Sequence, residues 1–167
     1  MSVVAPAMLV LGWGNLSRGD DALGPRCVAA LRAALPARLK EHVEFLDDYQ
    51  LQVEFALDLV GRTRLLFIDA SVDCVAPFTA RQALPRRDSS LSSHSLSPEA
   101  LLQVFVDLQG HYPPSAIVLE IRGESFELGE PMTAAAESNL AGATAWALNW
   151  IQMEAQAGID PTQAELR

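Results

Sequence analysis

Apolar runs that end in carboxylates, separated by stretches of helical spacing, predict an α/β fold. The expected architecture is three-layered, α/β/α, with a mostly parallel twisted sheet of about five strands. Three observations predict it. Met8-Leu-Val-Leu11, Arg64-Leu-Leu-Phe-Ile68 and Ile117-Val-Leu-Glu-Ile121 are short and nearly continuous in apolar residues, as strands covered on both faces are. Helical patterns lie between them, which is the alternation that parallel pairing requires. No repeat and no linker divides the chain, so residues 1–157 read as one domain and residues 158–167 as a polar, frayed tail.

The first strand ends in Gly12-Trp13-Gly14-Asn15, followed by Ser17-Arg18-Gly19-Asp20-Asp21-Ala22-Leu23-Gly24. This turn imitates a dinucleotide fingerprint, but the third glycine is missing, since Ser17 stands there. A phosphate would also meet two carboxylates, so the turn suits a cation or a polar substrate. Pro25 fits the first position of a helix whose apolar face is Val28, Leu31, Ala34 and Leu35. Val43-Glu-Phe-Leu46 predicts a second strand ending at Asp47 and Asp48. Leu51, Phe55, Leu59 and Val60 have helical spacing, with Gly61 as the stop. Arg64–Ile68 predicts the third strand, ending at Asp69, and Phe78–Leu84 mixes apolar and polar residues like an edge strand.

The polar, serine-rich stretch 86–95 predicts a loop, and Ser97-Pro98-Glu99 starts a helix with cap, proline and acid in order. Leu101, Leu102, Phe105 and Leu108 are expected to face the core. After the strand at Ile117–Ile121, an alanine-rich helix over about 133–156 closes the domain, with Trp146 and Trp150 as a core or interface stripe.

Composition narrows the function. The 167 residues carry a formal net charge of −9, which opposes a nucleic-acid partner. No apolar run approaches the roughly 20 residues that span a bilayer, and the N-terminus lacks the basic flank of a signal peptide. A soluble, cytoplasmic monomer is expected. Cys27 and Cys74 are too few for a disulfide framework or a cysteine metal site, and Cys27 falls on an apolar helical face as a packed thiol.

Parallel strands present their carboxyl ends at one edge, where ligands of such sheets bind. Asp21, Asp47, Asp48 and Asp69 are expected at that edge, with His94 reaching it from the serine-rich loop. Two carboxylates and an imidazole suit a divalent transition metal with open positions. Each residue alone has a plainer reading except Asp69, which follows an apolar strand directly and begins no helix. Asp20 or Asp21 would cap a helix, Asp48 would form a turn, and His94 would be solvated. Only the combination argues for a site. Ser89, Ser90, Ser92, Ser93 and Ser95 flank His94, but no Gly-x-Ser-x-Gly elbow presents a nucleophile.

Leu11-Gly-Trp-Gly-Asn15 through Asp20-Asp21-Ala-Leu-Gly24 resembles the opening signature of the nickel-iron hydrogenase maturation endopeptidases. The resemblance continues through Leu65-Leu-Phe-Ile-Asp69-Ala70, through Ser92-Ser-His94-Ser-Leu96 before a helix, and through Glu124-Ser-Phe-Glu-Leu-Gly129. It covers most of residues 8 to 152. It implies a hydrolase, grouped with aspartic-type endopeptidases, that cuts near the C-terminus of the hydrogenase large-subunit precursor after nickel insertion. The partner is then that precursor, and the nickel is the precursor's own rather than a resident ion.

The family's metal ligands carry over to Asp21, Asp69 and His94, which are expected to be the catalytic residues as well, and Asn15, Asp20 and Asp47 are expected to position the substrate. Two departures stand out. The family often has glutamate where Asp21 stands, one methylene longer. Many members follow the equivalent of Asp47 with a glycine pair, where this chain has Asp48-Tyr49-Gln50-Leu51-Gln52. That segment is similar to the branch serving soluble, NAD-reducing bidirectional hydrogenases and bears on which precursor is recognised.

The resemblance leaves open whether metal polarisation or a carboxylate base activates the hydrolysis. Two rivals come from other classes. A metal-dependent amidase or aminopeptidase on small substrates would want a permanent ion, yet no His-Glu-x-x-His motif is present. A non-catalytic nickel carrier or maturation chaperone would favour histidine tracts, and the chain has 3 histidines.

Overall fold

The computed structural model describes residues 4–88 and 96–159. Strand β1 (Met8–Trp13) is buried at every position. It is flanked by β2 (Val43–Asp48) on one side and β3 (Arg64–Ser71) on the other, both parallel to it. Strand β5 (Ser115–Arg122) continues the parallel set beside β3, and β4 (Phe78–Ala83) closes the edge antiparallel to β5. The order β2-β1-β3-β5-β4 is the five-stranded, mostly parallel sheet expected from the sequence, with its polar-apolar strand at an edge.

Alternation of side chains across the pleat builds two cores. Val10, Leu66, Ile68, Leu119 and Ile121 pack with helices α1 (Leu23–Ala34) and α3 (Ala134–Ile159). Leu9, Leu11, Phe67 and Val118 pack on the other face with helix α2 (Pro98–Gln109). Helices on both faces make the three layers. Among the described residues no helix is long and apolar enough to cross a membrane.

The helices follow their local chemistry, with corrections at their ends. Pro25 is the third residue of α1, not the first, because a short 3-10 turn (Gly19–Ala22) leads into the helix. Proline is tolerated there because first-turn N–H groups have no intrahelical partner. Leu35 is extended at ψ 128°, the conformation imposed on a residue preceding proline, so α1 stops at Ala34. Helix α2 starts where Ser97 Oγ accepts the Ala100 N–H at 3.1 Å, and it ends at Gly110 in the left-handed region. Leu108, expected in the core, is exposed. Helix α3 runs past residue 156 to Ile159, and the expected tail beyond it falls among residues outside those described.

The expected helix over Leu51–Gly61 is instead a 3-10 turn (Val53–Leu57) followed by further turns. Leu51, Ala56 and Leu59 are buried, whereas Val60 faces out. Arg62 ties the end of this connection to its surroundings. Its buried guanidinium donates to the carbonyls of Asp58 and Pro6, each at 2.8 Å, and to the Glu44 carboxylate. Trp146 and Trp150 stack with centroids 6.4 Å apart, and Phe78 of the edge strand lies 6.1 Å from Trp146, so the pair covers the sheet's antiparallel end. Cys27 is fully buried and its thiol is pushed up to about 11 by burial, against the hydrogen bond of Thr144, as a packed, unreactive cysteine should be.

Candidate functional site

The chain passes from β1 to β2 on one side, then to β3 on the other. The carboxyl ends of β1 and β3 therefore form the topological switch point, the position at which open α/β sheets bind ligands. Asp21 and Asp69 lie on its two sides.

Asp21 is held by the turn that follows β1. Gly14 has φ +148°, and a Cβ on it would lie 1.9 Å from the carbonyl oxygen of Asp21. Only glycine lets the turn fold this tightly. The turn then directs the Asn15 N–H onto Asp21 Oδ2 at 2.8 Å, leaving Asp21 half-buried with its other oxygen unconstrained by any described bond. Gly24 performs a second close approach, since a Cβ there would meet Trp13 O at 2.3 Å and Ile68 O at 2.9 Å. It lets α1 descend onto β1 and β3 directly behind the site.

Asp69 lies within β3 rather than after it. The strand continues to Ser71 because β5 is long enough to pair it, with Asp69 opposite Glu120. Asp69 shares the α2 face of the sheet with Phe67 and Trp13 by strand alternation. Its Oδ1 accepts the Ala70 N–H at 2.8 Å. Burial pushes its carboxyl up to about 7, and the negative charges of Asp21 and Glu120 push it the same way. Hydrogen bonds from the Ala70 backbone and the Trp13 indole oppose the rise without cancelling it. A carboxylate in this state is short of positive charge.

Glu120 was not among the residues singled out from sequence. The signal was present, a lone carboxylate inside the apolar run Ile117-Val-Leu-Glu-Ile121. It is held by Thr79 Oγ1 at 3.3 Å and by Arg81 Nη2 at 3.6 Å. Arg81 also pairs with Glu99 in the first turn of α2, so the start of that helix is tied to the strand beside Asp69.

The other expected residues separate. Asp20, expected to touch substrate, is fully buried. It accepts N–H bonds from Glu124 (2.8 Å), Ser125 (3.2 Å) and Thr133 (2.7 Å), and the Thr133 hydroxyl at 2.8 Å. Burial would raise its pKa, but these four donors outweigh it and hold the carboxyl below the usual range. Asp20 therefore anchors the 124–133 loop from inside. Asn15 forms a local turn, its Oδ1 accepting the Ser17 N–H at 2.8 Å. Asp47 is exposed and 3.8 Å from Arg32. With Asp48, Tyr49, Gly14, Leu16 and Pro25 it lines an open cavity of about 230 Å³ next to the Asp21 turn. His94 lies outside the described residues, and among those described no three His, Cys, Asp or Glu side chains could hold one metal ion. Asp21 and Asp69 place two carboxylates at the switch point, close enough for the charge of one to act on the other.

Comparison with known proteins bears on the fold and the family. No protein-family model matches the chain. The hydrogenase 2 maturation protease of Escherichia coli K12 is 32% identical over 127 residues, spanning 72% of this chain and 75% of that protein. Among solved structures, the hydrogenase maturating endopeptidase HybD from E. coli superposes with a TM-score of 0.67 at 26% identity, covering 88% of this chain and 93% of its own. The maturation protease HycI from Thermococcus kodakarensis has a TM-score of 0.63 at 16% identity, covering 89% and 90%, and supports the fold alone. On this relationship the chain is a peptidase, and it belongs to the hydrogenase maturation protease family.

Proposed function

We propose that the protein hydrolyses one peptide bond near the C-terminus of the nickel-loaded large-subunit precursor of a [NiFe] hydrogenase, acting as a cytoplasmic monomer. The observation that carries this reading is the Asp21–Asp69 pair at the switch point, with the Asp69 carboxyl pushed up to about 7 by burial and by its acidic neighbours.

The donor set fits a cation that arrives with the substrate. Asp21 and Asp69, with His94 as the third group, would hold the precursor's nickel. Such an ion would supply Lewis acidity at the scissile carbonyl and relieve the repulsion among the carboxylates. The chain's own residues do the rest. The Asn15 N–H fixes one oxygen of Asp21. The Trp13 indole and the Ala70 N–H orient Asp69. An Asp69 oxygen left off the ion would take a proton from water as the water oxygen attacks the carbonyl carbon. The same proton then passes to the amide nitrogen as the C–N bond breaks, and the new carboxylic acid gives its own proton to the released amine, leaving a carboxylate and an ammonium. Asp48, Tyr49 and the residues after them, which replace the family's glycine pair, support recognition of a precursor of the soluble, NAD-reducing type.

The test mixes purified protein with precursor and follows intact mass. Nickel-loaded precursor should lose a short C-terminal peptide with wild type, but not with Asp69→Asn or Asp21→Asn, whose folds should persist. Nickel-free precursor should stay whole. Stable binding without any cleavage would move the protein to the carrier class, and cleavage of nickel-free precursor would remove the metal from recognition.

A further inference from the structure

Three large apolar side chains stand in solvent around the Asp21 turn: Leu16 at 63% exposure, Tyr49 at 70% and Leu128 at 72%. Leu16 and Tyr49 line the same cavity, which opens beside Gly14 and Pro25. Leu128 belongs to the neighbouring loop, joined to the Leu16 turn by the Gly129 N–H on Ser17 O at 2.7 Å. We infer that these three side chains form the surface on which an apolar segment of the precursor docks next to its scissile bond. The inference rests on the proposed reaction and names the residues that would recognise its substrate.

Rigidity separates this surface from ordinary exposed leucines. The Leu16 turn is locked by Ser17 N–H on Asn15 Oδ1 (2.8 Å), Arg18 N–H on Asn15 O (3.1 Å) and Gly19 N–H on Glu130 O (3.1 Å). Arg18 Nε reaches Phe126 O at 3.2 Å, and Asp20 anchors the second loop from below. Apolar groups on a preordered backbone bind without the cost of ordering it, which is the condition for a strong contact.

Position identifies the occupant. The turn that presents Leu16 is the one that fixes Asp21 through the Asn15 N–H, so a polypeptide placing a peptide bond at Asp21 and Asp69 has this turn beside it. A second copy of this chain seated there would cover the site, and two molecules of net charge −9 repel each other. The occupant is therefore the precursor.

The experiment compares wild type, the Leu16→Ala/Tyr49→Ala double variant and Leu108→Ala, an exposed leucine at the end of α2, as control. Initial cleavage rates are measured across precursor concentration. The double variant should raise KM at least about tenfold, keep kcat within about threefold and melt like wild type. Leu108→Ala should change neither constant. In parallel, affinity for immobilised precursor is measured in an Asp69→Asn background, where the same double substitution should weaken binding by a similar factor. Unchanged KM and affinity in the folded double variant would overturn the docking surface, as would a wild-type dimer that the substitution dissociates. If wild type cleaves nothing, the proposed reaction fails separately and the binding arm alone decides. Should the double variant melt early, the single Tyr49→Ala carries the same test.

Discussion

The Asp20 carboxylate accepts four hydrogen bonds from Glu124, Ser125 and Thr133, whereas the adjacent Asp21 accepts one and keeps an oxygen free among the described contacts. Residue type and spacing do not tell the two apart, and only the family resemblance singled out Asp21. What separates them is the loop over 124–133, which arrives from more than a hundred residues away and is invisible to local reading. Glycine was the better guide, because Gly14 marks a backbone approach that only a tight turn needs. The division of labour has a measurable consequence. In Asp20→Asn one acceptor oxygen becomes a donor facing other donors, and the charge that strengthens the rest is lost. Hydrogen bonds to charged groups contribute about 1.5–3 kcal/mol each, so the substitution should cost at least about 2 kcal/mol in urea unfolding. An Asp20→Asn protein as stable as wild type would make these bonds incidental.

Elements were legible where burial on both faces fills a strand with apolar residues, as in β1 and β3, and where a cap is explicit, as at Ser97. They were misread where tertiary contacts overrode spacing. The pattern from Leu51 to Val60 has a helical period, but the segment holds only a 3-10 turn, and Arg62 after it is fixed by Asp58, Pro6 and Glu44. Asp69 lies inside its strand because β5 extends the pairing, a fact about the partner rather than about Arg64–Ile68. Helix α3 shows the opposite case, in which sequence and packing agree. Ala136, Ala143 and Ala147 are fully buried along one stripe, so α3 lies close against α1 and the sheet. Enlarging that stripe should overpack the core. Ala147→Leu is expected to destabilise by about 1–3 kcal/mol, while Ala145→Leu on the exposed face should be close to neutral. Equal stabilities of the two variants in denaturant unfolding would mean that α3 has room to shift.

At the scale of the whole molecule, the site is a consequence of topology. Reversal of strand order at β1 places the ends of β1 and β3 together, and the convergence of Asp21 and Asp69 was readable once those strands were taken as parallel. Glu120 was not readable as a site neighbour, because its place opposite Asp69 depends on register. Concentrating carboxylates at one edge of an already acidic protein should set the pH dependence of the metal-free fold. Asp69 has a folded pKa raised to about 7 from 3.8, so its contribution is fully present below pH 3.8 and is lost as pH rises through 7. Asp20 has a lowered folded pKa, so its contribution is present above 3.8 and is lost as pH falls below that value. Self-repulsion points the same way as Asp69, since the net charge is smallest near the pI of about 4.7 and reaches −9 at pH 7. Stability should therefore peak between about pH 4 and 5.5 and decline toward pH 8. Asp69→Asn removes the site's share of that decline and should be more stable than wild type at pH 8 by about 2 kcal/mol, with little difference at pH 4. Thermal melts of dilute metal-free protein across this range distinguish the outcomes. A parallel decline in wild type and Asp69→Asn would assign the pH dependence to net charge alone and leave Asp69 unstrained. A decline confined to wild type would locate the cost at the switch point, where a cation from the substrate would offset it.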